Sequence, residues 1–265
     1  MGSRFGQNGL TTTQKRESRR TAMNSWDFSD SGNSPADSAF SGPHFSGTVP
    51  LFPLPNATLF PNVMLPLHIF EPRYRCMVED ILKANRVLAI ALLKDGWEPQ
   101  YETKDCSIHP TVCLARVVAE ERLEDGRFHL LTQGLCRARL TGEPMTDLPY
   151  RLGHVEVIED EYPLPPVIDR IRRQQELVSA FRQIFPKLDM DAELLSTMEE
   201  GVPLGELCDV IAHAMRLNAF HAHRLLEQSD VDQRSDLVLQ LLRLQCRKPI
   251  LPTGQRTFPP GFSLN

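Results

Sequence analysis

Residues 51–75 read LFPLPNATLFPNVMLPLHIFEPRYR. Pro53, Pro55, Pro61, Pro66 and Pro72 punctuate a run of Leu, Phe, Val, Met and Ile. A central β-strand avoids proline, which donates no ladder hydrogen bond. A solvated loop avoids so much apolar surface. At Pro61 and Pro66 the prolines fit an edge strand or bulges. VPLFPL reads as a short strand with proline at its boundaries, and ATLFPNVMLPLHIF as a second strand interrupted at Pro61 and Pro66. At EPRYRCMVEDILKAN the period changes: Tyr74, Met77, Val78, Ile81 and Leu82 recur at helical spacing. Pro72 suits the first turn of that helix, and Glu71 the positive end of its dipole.

Further strands follow. RVLAIALL (86–93) is an apolar run of strand length. Residues 111–140 hold two or three strands, with Asp125-Gly126 as a hairpin signal between extended arms. YRLGHVEVIED (150–160) alternates. This makes six or seven strands with one helix inserted early. YPLPP (162–166) marks a boundary, after which four or five helices run to about residue 247, including DAELLSTMEE, LGELCDVIAHAMR, NAFHAHRLLEQ and QRSDLVLQLLRLQ. Their apolar stripes need each other as partners. The fold class is α+β. Residues 49–161 are expected to form a β subdomain and 162–247 a helical bundle.

Residues 1–48 are rich in Gly, Ser, Thr and Asn, and read as a disordered tail. Its KRESRR run reads as a solvated basic patch. A transit peptide, or a true start at Met23, are alternatives for this segment. Removing 1–48 is expected to leave the melting temperature nearly unchanged. Residues 248–265 read as a proline-rich C-terminal tail.

The 265-residue chain is 41% hydrophobic and 24% charged, with a formal net charge of -5. An acidic chain lacks the broad positive field behind most nonspecific nucleic-acid affinity. No stretch approaches the roughly 20 apolar residues that span a bilayer, and no apolar signal segment opens the chain. The six cysteines are scattered, without a C-x-x-C pair. They read as free thiols in a reducing cytoplasm.

The residues also resemble a known family. PLFPLPNATLFPNVMLPLHIFEPRYRCMVEDIL is similar to the opening of the Lon protease N-terminal domain, through Pro53-Leu54, Leu59-Phe60-Pro61 and Pro66-Leu67. ARVVAEERLEDGRFHLLTQGLCRARL resembles a second stretch, with Gly134 and Arg137 at matching places. LNAFHAHRLLEQSDVDQRSDLVLQLL resembles a third, through Leu225, Leu226, Glu227, Asp230 and Arg234. HIFEPRYR looks like the stand-alone branch of that family. The resemblance implies a PUA-like β-barrel subdomain with one inserted helix, then a C-terminal helical bundle. It also implies a noncatalytic polypeptide-binding module, whose partners are unfolded or tagged polypeptide segments or another protein.

Catalytic patterns are absent from this sequence. It holds no G-x-x-x-x-G-K-[ST] phosphate loop, no G-x-S-x-G, no H-E-x-x-H and no G-x-G-x-x-G. A Ser–Lys protease module would need more chain than follows the helices. His221 and His223, two apart on a predicted helix, share no face. No metal ligand set or cofactor motif is read from the spacing. The carboxylate runs at Glu120, Glu121 and Glu124 and at Glu156–Glu161 read as solvated faces. Trp97 reads as packing on the sheet rim. The candidate peptide-binding residues are Leu59, Phe60, Met64 and Phe70 as apolar lining, with His68, Glu71, Arg73 and Tyr74 as a polar rim. The packing alternative pairs Arg73 with a carboxylate and turns Tyr74 inward. An RNA-binding PUA-like protein and an adaptor for a specific folded partner are the rival readings.

Overall fold

The computed structural model describes residues 47–101, 103–185 and 202–246. The expected tails before residue 47 and after 247, and the helix expected at 191–200, lie outside the described residues. Six strands form one mixed sheet: β1 (Thr48–Leu54), β2 (Met64–Ile69), β3 (Val87–Leu92), β4 (Thr111–Arg122), β5 (Phe128–Gly142) and β6 (Arg151–Ile158). Helix α1 (Pro72–Lys83) sits between β2 and β3. Four described helices follow: α2 (Arg170–Ile184), α3 (Leu204–Ala214), α4 (Ala219–Glu227) and α5 (Val231–Cys246). The architecture is α+β.

The strand order is β2-β5-β4-β3-β1-β6, and β6 also pairs with β5. Five strands therefore close a ring of pairings. Because β4 occupies one side of β5 along its length, β2 and β6 share the other. β2 lies against the first half of β5 and β6 against the second.

This topology shows how the strands accommodate the prolines. β1 is not an edge strand: β3 pairs with it in parallel and β6 antiparallel. Its prolines sit where each ladder stops. Val155 N–H donates to Gly47 O, and the antiparallel alternation then turns odd residues of β1 toward β6. Pro53 faces that side beyond Leu51↔Arg151, the last pair with β6. Pro50 faces β3 ahead of Leu51↔Ala89, the first pair with β3. Neither proline breaks a rung. Pro66, by contrast, lies in the end strand β2, opposite Leu131, as an edge proline should. The strand expected across 57–70 is also shorter than its apolar run: only Met64–Ile69 pairs, and Leu59–Pro61 lie in the loop before it.

That loop is held by β5. Asn62 N–H donates to Gly134 O and Gly134 N–H to Val63 O, both at 2.9 Å. The β4–β5 register shifts beside Gly134, as at a bulge. A Cβ on Gly134 would lie 2.0 Å from the Phe60 carbonyl oxygen. Glycine there lets the loop backbone lie directly on the strand, and Leu59 and Phe60 drop into the core at 1% exposure each.

β3 is buried on both faces, which explains its unbroken apolar run. Val87, Ala89 and Ala91 join Val49, Leu51, Val112 and Leu114 in one cluster. Leu88 and Ile90 face a second cluster, which continues through Tyr74, Met77 and Ile81 of α1 into Leu177, Phe181, Leu207 and Leu242 of the helices. The hairpin signal is correct: β4 and β5 meet through 123–127, with Gly126 at φ +80°.

A buried ionic group joins the two halves. Arg137 of β5 grips Asp209 of α3 with two hydrogen bonds and donates through Nε to the Leu226 carbonyl in α4. Asp160, in the link after β6, accepts from Arg137 at 3.3 Å and from Arg234 of α5. The side chains of Arg137, Asp209 and Arg234 are at most 2% exposed. Two arginines and two aspartates leave no net charge, the condition under which such burial is tolerable. A Cβ on Gly205 would come within 2.3 Å of Asp160 Oδ2, so a side chain there would have to push this group's side chains aside.

Asp232 plays a smaller linking part. It accepts from Arg170 at the start of α2 and from the Val167 N–H. Burial works against its charge, but these donors outweigh it and hold its pKa below the usual carboxylate range. A depressed folded-state pKa means this stabilisation is present above about pH 4 and is lost as pH falls through the folded value. The stability gap between the parent and Asp232→Asn should therefore be open at neutral pH and narrow below about pH 4. Urea titrations at several pH values check this; a gap independent of pH would contradict it.

Candidate polypeptide-binding face

β2 supplies the most exposed part of the proline-rich segment. Continuing the alternation from the Gly134–Val63 bond, residues 65, 67 and 69 turn their backbone groups to β5. Met64, Pro66 and His68 turn theirs outward, and no strand among the described residues pairs there. The same alternation sorts the side chains. Leu65, Leu67 and Ile69 pack on the core. Met64 and His68 are half-buried, Pro66 is exposed, and Phe70 just beyond the strand is 38% exposed. The His68 ring lies between Phe70, at 6.1 Å, and His129, at 4.9 Å between centroids. Burial, then the neighbouring His129 and Arg127, hold its pKa below the ordinary histidine value. Its buried Nε2 has no hydrogen-bond partner among the described residues.

The candidate residues therefore separate into three groups. Met64, His68 and Phe70 share an accessible face. Leu59 and Phe60 are core. Glu71, Arg73 and Tyr74 form a closed structural cluster at the start of α1. Arg73 Nε donates to Glu71 at 2.9 Å and its Nη2 to Tyr101 O at 2.9 Å, and Tyr101 Oη donates to Glu71 at 2.7 Å. The Arg73 guanidinium also lies 4.6 Å from the Tyr74 ring centre. Tyr74 packs inward against Phe52, and burial pushes its pKa up to about 12. Beneath this cluster is a cavity of about 10 Å³ bounded by Arg73, Tyr74, Tyr101 and Tyr150, room for a single water. Tyr101, which completes the cluster, carries no signal in its local sequence. Trp97 stacks edge-on with Tyr101 and packs on the core, and Glu120 is held by two bonds from Arg86.

The fold is thus a mixed sheet with an early helix and a following helical layer, joined through a buried ionic group. Residues 48–243 match the family described as the ATP-dependent protease La (LON) substrate-binding domain, and the chain belongs to that family. Lon protease of Desulfosudis oleivorans is 24% identical over 210 residues, which cover 79% of this chain and 25% of the relative. Lon protease of Anaeromyxobacter dehalogenans is 25% identical over 86% of this chain and 27% of its own length. The chain thus spans about a quarter of the length of these curated relatives. Among solved structures, a Lon N-terminal domain protein from Xanthomonas campestris aligns with a TM-score of 0.52 at 19% identity, over 76% of this chain and 99% of that one. The N-terminal domain of a Mycobacterium avium complex Lon protease aligns at 0.56 and 15% identity, over 74% and 98%. These structures share the fold. No described helix is long and apolar enough to cross a membrane.

Proposed function

We propose that this chain is a noncatalytic polypeptide-binding module, a PUA-like barrel with an attached helical bundle, working in the cytoplasm. It captures unfolded or tagged segments on the outward face of β2. One observation carries the reading: Met64, His68 and Phe70 align beside a strand edge that no strand among the described residues pairs, on a segment whose other apolar residues pack in or against the core. An extended peptide could place alternate apolar side chains against these three and bond to the outward groups of Met64 and His68. Pro66 between them donates nothing, which keeps the edge from zipping onto other sheets.

Fluorescence anisotropy of a labelled, permanently unfolded polypeptide titrated with the full chain tests this. Saturable binding is expected, weakened about tenfold by Phe70→Asp or Met64→Asp in variants that keep the parent's melting temperature. Unchanged affinity in both variants would remove binding from this face. Binding of single-stranded RNA in place of the polypeptide would transfer the assignment to nucleic acid. No binding of either would leave the adaptor reading, with a folded protein partner.

A further inference from the structure

We propose that His109, His223 and Glu227 form a binding site for a divalent transition-metal ion of the zinc type, bridging the sheet and the helices. The site lies outside the β2 face. His109 precedes β4, its backbone fixed by an N–H donated to Leu92 O at 2.9 Å. His223 and Glu227 stand one turn apart on α4 and so share a face. The imidazole rings of His109 and His223 are 4.1 Å apart between centroids. One ligand atom from each of the three residues lies within 4.8 Å of the others.

The spacing suits a metal. His223 Nε2 and Glu227 Oε1 are 3.1 Å apart. Two ligand atoms about 2.0–2.1 Å from a tetrahedral zinc are separated by about 3.3 Å. A cation replacing the proton these atoms share would leave them nearly in place, and the His109 ring nitrogen, within 4.8 Å of both, would move in as the third ligand. Two imidazoles and a carboxylate select zinc or its neighbours over magnesium or calcium, which prefer all-oxygen sites. Three protein ligands leave a fourth position for water. The Glu227 side chain is 44% exposed, giving an ion a route in.

His223 is 3% exposed, and among the described residues its buried Nδ1 has no hydrogen-bond partner. An ion at Nε2 would take the place of the proton shared with Glu227 and fix the ring's own proton on Nδ1, so the convergence of the three ligand atoms is what marks the site.

The test uses the full chain, stripped with chelator and titrated with zinc chloride by calorimetry. One equivalent should bind and raise the melting temperature, since an ion that favours the folded state stabilises it by mass action. His109→Asn and Glu227→Gln should each weaken binding about tenfold or more, with metal-free melting temperatures equal to the parent's. His221→Ala, on the same helix outside the trio, should keep the parent's affinity. Absence of uptake at micromolar zinc would overturn the proposal. So would affinity that survives both substitutions, as it would if the cysteines held the metal. Should either variant melt early, imidazole nitrogen spectra of the parent decide. Zinc must shift the signals of His109 and His223 among the eight histidines, and shifts confined to others overturn the site.

Discussion

Replacing Arg137 by Met should cost about 3–5 kcal/mol, the usual effect of stranding one partner of a buried ion pair. For a domain of this size that corresponds to a fall of about 6–20 °C in melting temperature. The cause is electrostatic. Arg137 holds Asp209 by two bonds at 2% exposure, and its removal leaves Asp209 and Asp160, among the described residues, to share Arg234. The Leu226 carbonyl also loses the Nε donor. The double variant Arg137→Met, Asp209→Leu removes a charge of each sign and leaves Asp160 paired with Arg234. It should recover most of the loss, because well-packed apolar replacements of buried pairs are often neutral or stabilising. Thermal melts of the parent, both single variants and the double complete the cycle. Additive losses would show that Arg137 acts through packing and not through charge.

Gly134→Ala should be nearly as damaging, at about 3 kcal/mol or more, the upper end of overpacking effects. The new methyl would meet the Phe60 carbonyl oxygen at 2.0 Å. That is backbone, and it cannot turn aside as a flexible side chain could. Lifting the loop would break the bonds between Gly134 and Asn62–Val63 and draw Leu59 and Phe60 from the core. Phe60→Ala should cost a similar amount, about 3–5 kcal/mol, by leaving a cavity. Denaturant titration measures both. A loss under 1 kcal/mol for Gly134→Ala would mean that the loop does not lie on β5 as described.

Much of this arrangement is legible in the sequence because its signals are local. Asp125-Gly126 marks the hairpin, the run at 87–92 marks a strand buried on both faces, and Pro72 opens α1. YPLPP separates sheet from helices. The misread parts depend on tertiary registers. Pro50 and Pro53 mark the boundaries of a short strand but do not reveal that it is paired on both sides, which is tolerated because each ladder ends where their missing donors point. The apolar pattern of Leu59-Phe60 does not distinguish a strand from a buried loop, and Gly134, far along the chain, decides it. The candidate site divides the same way. Met64, His68 and Phe70 fall on one face by simple alternation, while Arg73 and Glu71 are claimed by Tyr101, which no spacing rule connects to them. His109 carries no signal until the fold lays it beside His223.

The tie between the halves bears on function. The core runs from α1 into the helices, and the Arg137 group closes the junction, so the β2 edge stands on a continuous support. A peptide docking there would meet a preorganised strand, with little ordering left to accomplish.

Backbone amide hydrogen exchange of the full chain, with and without a saturating permanently unfolded polypeptide, tests the proposed binding face most directly. Slowed exchange at the Met64 and His68 amides, whose groups face away from β5, is the predicted result. Protection confined to other elements, with these two amides unchanged at saturation, would contradict it.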